Sequence, residues 1–198
     1  DVAIADGVLA HAVLPLGELN ARGRVSPPGQ AKLTGGMPCY GLYVTQDERY
    51  LAVGAFEPKF WQLFCQTIGR QDLAPHGMPD TPDRALEVRQ SLQATLASKP
   101  LSHWAALLEG VDCCVTPVLN LAEARALPQF QARGMWVEVE TVSGERVTQL
   151  ASPVRMSDFE FEVRCPAPRA GQHTREVLNQ AGWREEDIDS LTQRQVVR

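Results

Sequence analysis

The amino-acid sequence predicts an α+β fold built from two β-hairpins and several short helices. Segments 40–55 and 136–150 each contain two short apolar runs around a polar turn, which is typical of a hairpin. Between them, apolar residues recur at the spacing of one helix face. Hydrophobic residues make up 44% and charged residues 22% of the 198 residues, which is the composition of a folded globular protein.

The N-terminal segments differ in composition from the first hairpin and the helices behind it. Residues 3–14 carry Ala, Ile, Val and Leu with few polar positions, which predicts a mostly buried helix. Residues 20–34 are rich in Gly, Pro and Ser, so they suit a linker or a long crossing segment better than a packed element. We therefore expect a boundary between two structural regions there.

The first hairpin and the helix behind it have clear signals. Residues 40–44 and 50–55 are the predicted strands, on either side of a polar turn. Pro58 suits the first turn of a helix, where its missing N–H costs nothing, and Gly69 suits a left-handed C-terminal cap. One face of this helix is apolar: Phe60, Trp61, Phe64, Cys65 and Ile68.

Short helices and strands are predicted for the rest of the chain. The helices are expected over 82–98, 102–110, 121–127, 174–181 and 185–197. The strands are expected over 113–119, 136–142 and 146–150. Ser102 and Asn120 have the side chains of N-caps, and Pro117 confines its strand to a sheet edge.

Composition argues against several classes of function. The net charge is −5 and the basic residues are scattered, so no nucleic-acid surface is expected. No apolar run is long enough to cross a bilayer, and no signal peptide is recognisable, so we expect a cytoplasmic protein without membrane association. The five cysteines lack CxxC spacing, which argues against a disulfide framework and against a zinc site.

Few side chains carry a catalytic signature. None of the four histidines has a second histidine or a carboxylate at metal-ligand spacing. No P-loop, dinucleotide-binding or nucleophile-elbow motif occurs. Cys113 and Cys114 fall in the predicted apolar strand without a neighbouring base, which predicts buried and inert thiols.

Two features are candidate site positions. Gly35-Gly36 lies where the linker meets the first strand, and a double glycine either brings backbone N–H groups close to a ligand or simply forms a turn. Glu57 lies between a strand end and Pro58, where a carboxylate either projects from a rigid scaffold or merely favours the helix N-terminus. Residue spacing leaves both alternatives open.

Several motifs occur in the order found in one known family. Residues 35–40 are G-G-M-P-C-Y, 53–60 are V-G-A-F-E-P-K-F, 112–118 are D-C-C-V-T-P-V and 171–174 are G-Q-H-T. With D-V-x-x-x-D-G at the start, they resemble the C-terminal half of family III CoA-transferases (CaiB/BaiF type), most of all the α-methylacyl-CoA racemase branch. The resemblance covers essentially the whole chain.

The resemblance implies a division into domains. Such enzymes are dimers of interlocked ring-shaped subunits, each with a large α/β domain and a small domain reached through two linkers. On that pattern residues 1–25 are a large-domain helix and 26–39 are a linker with the Gly-Gly loop. Residues 40–150 are then the small α+β domain, and 151–198 are the return linker and the C-terminal large-domain helices. A homodimer is therefore expected.

The resemblance also implies which residues act. In the racemases a His and an Asp exchange the proton α to the thioester carbonyl, and both are expected upstream of this chain. Glu57 matches the glutamate of the family's E-P-x-F motif, which comes from the partner subunit and lies near the catalytic His. Gly35 and Gly36 match the loop that closes over the active site in the transferases. The family's D-G hairpin turn is Asp47-Glu48 here, and glutamate tolerates positive φ poorly.

The residues and the resemblance together lead to two functional hypotheses. The first is the C-terminal part of an enzyme that acts on an acyl-CoA, by α-proton transfer at a 2-methylacyl-CoA or, alternatively, by CoA transfer between carboxylic acids. No cofactor or metal is expected, because the CoA thioester is the substrate and itself acidifies the α-proton. The second is a truncated, non-catalytic dimerisation or binding module, which the lack of the catalytic His and Asp favours.

Overall fold

The structure is a computed structural model that describes residues 1–198, and it confirms the α+β class. The chain divides into two compact units, Asp1–Val118 and Leu119–Arg198. None of its helices has both the length and the apolar surface that crossing a membrane requires.

The first unit contains a three-stranded antiparallel sheet of order β1-β2-β3, with α-helices before its first strand and between its second and third strands in sequence. The strands are β1 Tyr40–Val44, β2 Tyr50–Gly54 and β3 Val115–Pro117. The helices are α1 Ile4–Ala10, α2 Val13–Arg22, α3 Pro58–Thr67, α4 Pro82–Leu96 and α5 Leu101–Leu108. A π-type turn, Lys32–Gly36, precedes β1, and a 3₁₀ helix, Gln71–His76, follows α3.

The core of this unit is formed by the sheet with helices α3, α4 and α5. Two indole N–H groups are satisfied inside it, as buried tryptophans require. Trp61 Nε1 donates to the Leu73 carbonyl at 3.0 Å, and Trp104 Nε1 donates to the Leu96 carbonyl at 2.9 Å. The fully buried side chains include Tyr43, Leu51, Phe64, Cys65 and Leu92.

The turn of the first hairpin also caps helix α5. The Asp47 carboxylate accepts hydrogen bonds from the Thr45 hydroxyl at 2.5 Å and from the Leu101 N–H at 3.0 Å. The predicted N-cap at Ser102 is wrong, because α5 begins at Leu101 and its first N–H is satisfied from 54 positions away. Glu48 has φ +57°. The turn therefore has a left-handed backbone at this position, although a glutamate side chain disfavours that conformation.

Replacing Asp47 by asparagine is expected to remove an acid-sensitive part of this stability. The Thr45 hydroxyl, and then the Leu101 N–H, hold the pKa of Asp47 below its usual range. A depressed pKa stabilises the fold above the unfolded-state value of about 3.9, and this contribution is lost as the pH falls through the folded-state pKa. The urea midpoint of Asp47→Asn should lie below wild type at about pH 6 and approach it at about pH 2. Equal midpoints at the higher pH would contradict the cap.

The N-terminal segment differs from its prediction. A single, mostly buried helix over 3–14 is wrong, because two helices, α1 and α2, occupy the segment and none of their residues is buried. Ile4 is 85% exposed and Leu14 is 70% exposed. An apolar composition buries a helix only where another element covers it. Helix α2 also extends to Arg22, into the segment predicted to be a linker.

Cys113 and Cys114 precede the third strand instead of lying in it. Strand β3 is shorter than the predicted 113–119, and it is an edge strand, as Pro117 predicts. Cys113 is buried, whereas Cys114 is exposed and has φ +55°. The prediction of a buried thiol is therefore right for Cys113 and wrong for Cys114. The left-handed backbone at Cys114 directs its side chain to the surface.

The second unit contains short helices and one antiparallel hairpin. Its elements are α6 Leu121–Arg125, α7 Pro128–Ala132, β4 Trp136–Glu140, β5 Arg146–Leu150, α8 Thr174–Gln180 and α9 Glu185–Gln193. The predicted N-cap at Asn120 is confirmed, with the Asn120 and Glu123 side chains each accepting from the other's backbone N–H. Helix α7 is not predicted by the sequence, because one short turn shows no periodicity.

Candidate functional site

The glycine loop, Gly35 and Gly36, folds back closely on the preceding chain. Gly35 has φ +107°, a conformation that favours glycine. A Cβ at Gly36 would lie 2.1 Å from the Gln30 carbonyl oxygen, so only glycine fits there. The Gly36 N–H donates to the Ala31 carbonyl at 3.0 Å. Close backbone packing within the loop therefore requires glycine at these positions, and the Gly36 N–H serves the loop itself and not a ligand.

Antiparallel pairing brings the two candidate positions to the same end of the first hairpin. Tyr40, the first residue of β1, pairs with Gly54, the last residue of β2. The glycine loop precedes Tyr40, and Glu57 follows Gly54 after two residues. The rings of Tyr40 and Phe56 meet edge to face with their centroids 6.4 Å apart. This contact ties the chain that leads into β1 to the chain that leaves β2.

Glu57 is the N-cap residue of α3, and its side chain is exposed. Its carbonyl accepts from the N–H groups of Phe60 at 3.0 Å and Trp61 at 3.2 Å, which fixes the backbone at the helix start. The carboxylate makes no capping hydrogen bond. A carboxylate that is rigidly mounted and uses none of its acceptor sites on its own helix is available to a group outside the unit.

The buried thiols around this site are not nucleophiles. Burial raises the pKa of Cys39, which follows the glycine loop, to about 11. Burial likewise raises the pKa of Cys65 to about 12 and raises that of Cys113. Because the thiolate is the reactive form, these cysteines are inert at neutral pH.

His11 and His103 contact groups other than Glu57 and the glycine loop. His11 Nδ1 lies 2.7 Å from the Gly7 carbonyl oxygen, and the His103 ring meets Trp104 edge-on at 5.0 Å. No group of three or more His, Cys, Asp and Glu side chains could hold a metal ion. Two open clefts, of about 400 Å³ and 460 Å³, are lined by residues other than Glu57 and the glycine loop.

Arg89 is a residue beside the glycine loop that the sequence does not single out. It lies on α4 next to the inward-facing Val88, and its Nη1 is 3.5 Å from the Met37 carbonyl oxygen. A charged residue on a helix flank gives no sequence signal that separates a binding role from solvation. Only the folded geometry brings this guanidinium to the loop.

Comparison with known proteins gives a consistent relationship. The sequence profile of CoA-transferase family III matches residues 1–174. The chain is 31% identical to α-methylacyl-CoA racemase of Homo sapiens over 177 residues, which are 87% of this chain and 44% of the racemase. It is 27% identical to formyl-CoA:oxalate CoA-transferase of Rhodopseudomonas palustris over 187 residues, which are 87% of this chain and 43% of that enzyme.

Solved structures share the fold. The crystal structure of Rv3272 from Mycobacterium tuberculosis, orthorhombic form, matches with a TM-score of 0.63 at 24% identity, over 87% of this chain and 45% of that chain. A CaiB/BaiF family protein from Brucella suis matches with a TM-score of 0.58 at 19% identity, over 86% and 44%. The chain thus spans less than half the length of these relatives. On its profile match and its identity to the human racemase, the chain belongs to CoA-transferase family III.

Proposed function

We propose that this chain is the part of an acyl-CoA racemase that carries the glycine loop and a supporting carboxylate, and that the reaction is α-proton transfer at a 2-methylacyl-CoA. The observation that carries the proposal is Glu57, an exposed carboxylate with no capping bond, held at the same hairpin end as the glycine loop. The 31% identity to the human racemase supports the same branch of the family.

In this proposal Glu57 is a positioning residue and not the base itself. The thioester acidifies the proton on C2, a base removes it, and an acid returns a proton to the other face. The Glu57 carboxylate accepts a hydrogen bond from the N–H of the imidazole base across a homodimer interface. This bond fixes the tautomer of the ring and raises its basicity. The rigid N-cap position at α3 suits that task, because backbone hydrogen bonds to Phe60 and Trp61 hold it. The His and Asp that exchange the proton are not among the residues of this site.

CoA transfer between carboxylic acids is the second candidate. It is favoured by the tight Gly35-Gly36 loop and by the 27% identity to formyl-CoA:oxalate CoA-transferase. The two reactions leave different products. Proton transfer in D₂O puts deuterium at C2 of the same acyl-CoA, whereas transfer moves CoA onto a second acid and leaves the C2 hydrogen in place.

Replacing Glu57 by glutamine is expected to slow deuterium uptake at C2 by about 10- to 100-fold, because the amide no longer supports the imidazolium. The measurement is ¹H NMR of 2-methylacyl-CoA in D₂O, with the protein expressed together with whatever coding sequence precedes Asp1. The apparent pKa of the imidazole base, which sets the acidic limb of the pH–rate profile, should also fall. A purely structural role for Glu57 would not cause that shift.

The matched control is Glu109→Gln, which changes another exposed carboxylate at a helix end. It should leave both the rate and the pH profile unchanged, and Glu57→Asp should restore part of the rate. A Glu57→Gln rate equal to wild type would remove Glu57 from the mechanism. CoA transfer without C2 exchange would instead favour the second candidate.

A further inference from the structure

Most of the Arg89 guanidinium is unused by the protein. Its Nη1 makes one long contact, 3.5 Å to the Met37 carbonyl oxygen, and no carboxylate forms an ion pair with it. Nε and Nη2 have no hydrogen-bond partner in the chain. Among buried side-chain nitrogen and oxygen atoms, Trp136 Nε1 alone lacks a hydrogen-bond partner. Arg89 Nε and Nη2 also lack partners, so they are not buried and both reach solvent.

The missing side chain of Gly41 lets this guanidinium approach the glycine loop. A Cβ at Gly41 would lie 2.7 Å from Arg89 Nη1 and 3.6 Å from the Gly35 Cα. Side-chain carbons do not come as close as 2.7 Å to another heavy atom, so the arginine occupies space that only a glycine leaves open. Arg89 and Gly35 therefore border the same space at the start of β1.

Tyr43 orients the guanidinium. The Arg89 Cζ lies 5.0 Å from the centroid of the Tyr43 ring, within the range of a cation–π contact. The ring is itself fixed, because Tyr43 is 1% exposed and its hydroxyl donates to the Pro38 carbonyl at 2.6 Å. A guanidinium held on a fixed ring keeps its fork of N–H donors in one plane and loses little entropy when it binds.

Other arginines attached to α4 are satisfied within the protein. Arg84 Nη1 bonds Glu87 at 2.8 Å. Arg70 bonds Asp72 at 2.7 Å and the Ser91 hydroxyl at 2.7 Å. The chain has 24 acidic and 19 basic residues, so the lack of a carboxylate beside Arg89 is not due to a shortage of acids.

We propose that Arg89 binds a carboxylate or phosphate group of the substrate beside the glycine loop. A guanidinium fork matches the two oxygens of either group, and charge-assisted pairs of this kind are strong. The inference rests on the proposed function for the identity of the substrate. The group is either the carboxylate of an acyl or acceptor acid, or a phosphate of CoA.

The test is direct binding to the protein by isothermal titration, without turnover. The probes are succinate, CoA and 3′-dephospho-CoA, each titrated into wild type and into Arg89→Met, Arg89→Lys and Arg84→Gln. Arg89→Met keeps the apolar stem on Tyr43 and should bind the recognised probe at least about 10-fold more weakly, the factor expected for one lost charge-assisted pair. The affinity of Arg89→Lys should lie between those of wild type and Arg89→Met. Arg84→Gln should bind the probe with wild-type affinity.

The probes separate the two sources of the anion. A loss confined to succinate identifies a carboxylate. A loss of affinity for CoA but not for 3′-dephospho-CoA identifies the ribose 3′-phosphate. A loss of affinity for both CoA forms identifies the diphosphate. Unchanged affinity for all probes in folded Arg89→Met and Arg89→Lys would overturn the proposal and leave Arg89 as a packing residue. Anion binding that depends on Arg89, without C2 exchange by the protein expressed together with whatever coding sequence precedes Asp1, would contradict the proposed function alone.

Discussion

Replacing Gly36 by alanine, in the protein expressed together with whatever coding sequence precedes Asp1, is expected to lower the rate of C2 deuterium uptake by about 100-fold, the scale of loss caused by a displacement of about 1 Å at a site. The new Cβ would lie 2.1 Å from the Gln30 carbonyl oxygen and 2.9 Å from the Ala31 carbonyl oxygen. Both neighbours are backbone atoms, so the loop must move as a whole. Thermal melting should change little, because no residue of the loop segment Lys32–Gly36 belongs to the buried core.

Gly17→Ala is the matched control for this substitution. Gly17 lies inside α2 and has open space around it, so alanine there should be neutral or slightly stabilising. Wild-type turnover in Gly36→Ala would show that the close approach to Gln30 does not matter to the site.

Replacing Phe64 by alanine is expected to lower the free energy of unfolding of the first unit by about 4 kcal/mol. Phe64 is 0% exposed, and its ring centroid lies 5.9 Å from that of Trp61. Removing the ring leaves a cavity where α3 meets the core, and α3 carries Glu57 at its N-terminus. Urea unfolding measures the loss.

Leu63→Ala is the control on the same helix. Leu63 is 37% exposed, so its truncation should cost about 1 kcal/mol or less. A Phe64→Ala loss no larger than that of Leu63→Ala would mean that the core is not packed as described.

Local sequence patterns predict the first hairpin and helix α3 correctly, because their causes lie within a few residues. The apolar alternation over 40–55 gave the first hairpin, and Pro58 gave the start of α3. The spacing of Trp61, Phe64 and Cys65 predicts the inward face of α3, and all three residues are buried. The glycine at position 35 also has the positive φ that a double glycine predicts.

Contacts between distant residues could not be predicted in this way. The Asp47 cap on Leu101 joins positions 54 residues apart, so the local pattern indicates Ser102 instead. Composition likewise predicted burial for residues 3–14, but burial depends on a covering element that composition does not supply. The approach of Arg89 to the glycine loop depends on the missing side chain of Gly41. Such an approach appears only when a helix and a strand are placed together.

C2 deuterium uptake by residues 1–198 alone, with human α-methylacyl-CoA racemase as the positive control, shows whether this chain contains a base for the C2 proton. Circular dichroism and thermal melting confirm that the chain is folded in the same buffer. We propose that this chain supplies a glycine loop, a positioning carboxylate and an anion site, but no base that removes the C2 proton. We therefore expect uptake at the buffer rate for the chain and rapid uptake for the control. Uptake by the chain above the buffer rate would show that an acid–base pair lies within residues 1–198 and would overturn the proposed role of this chain.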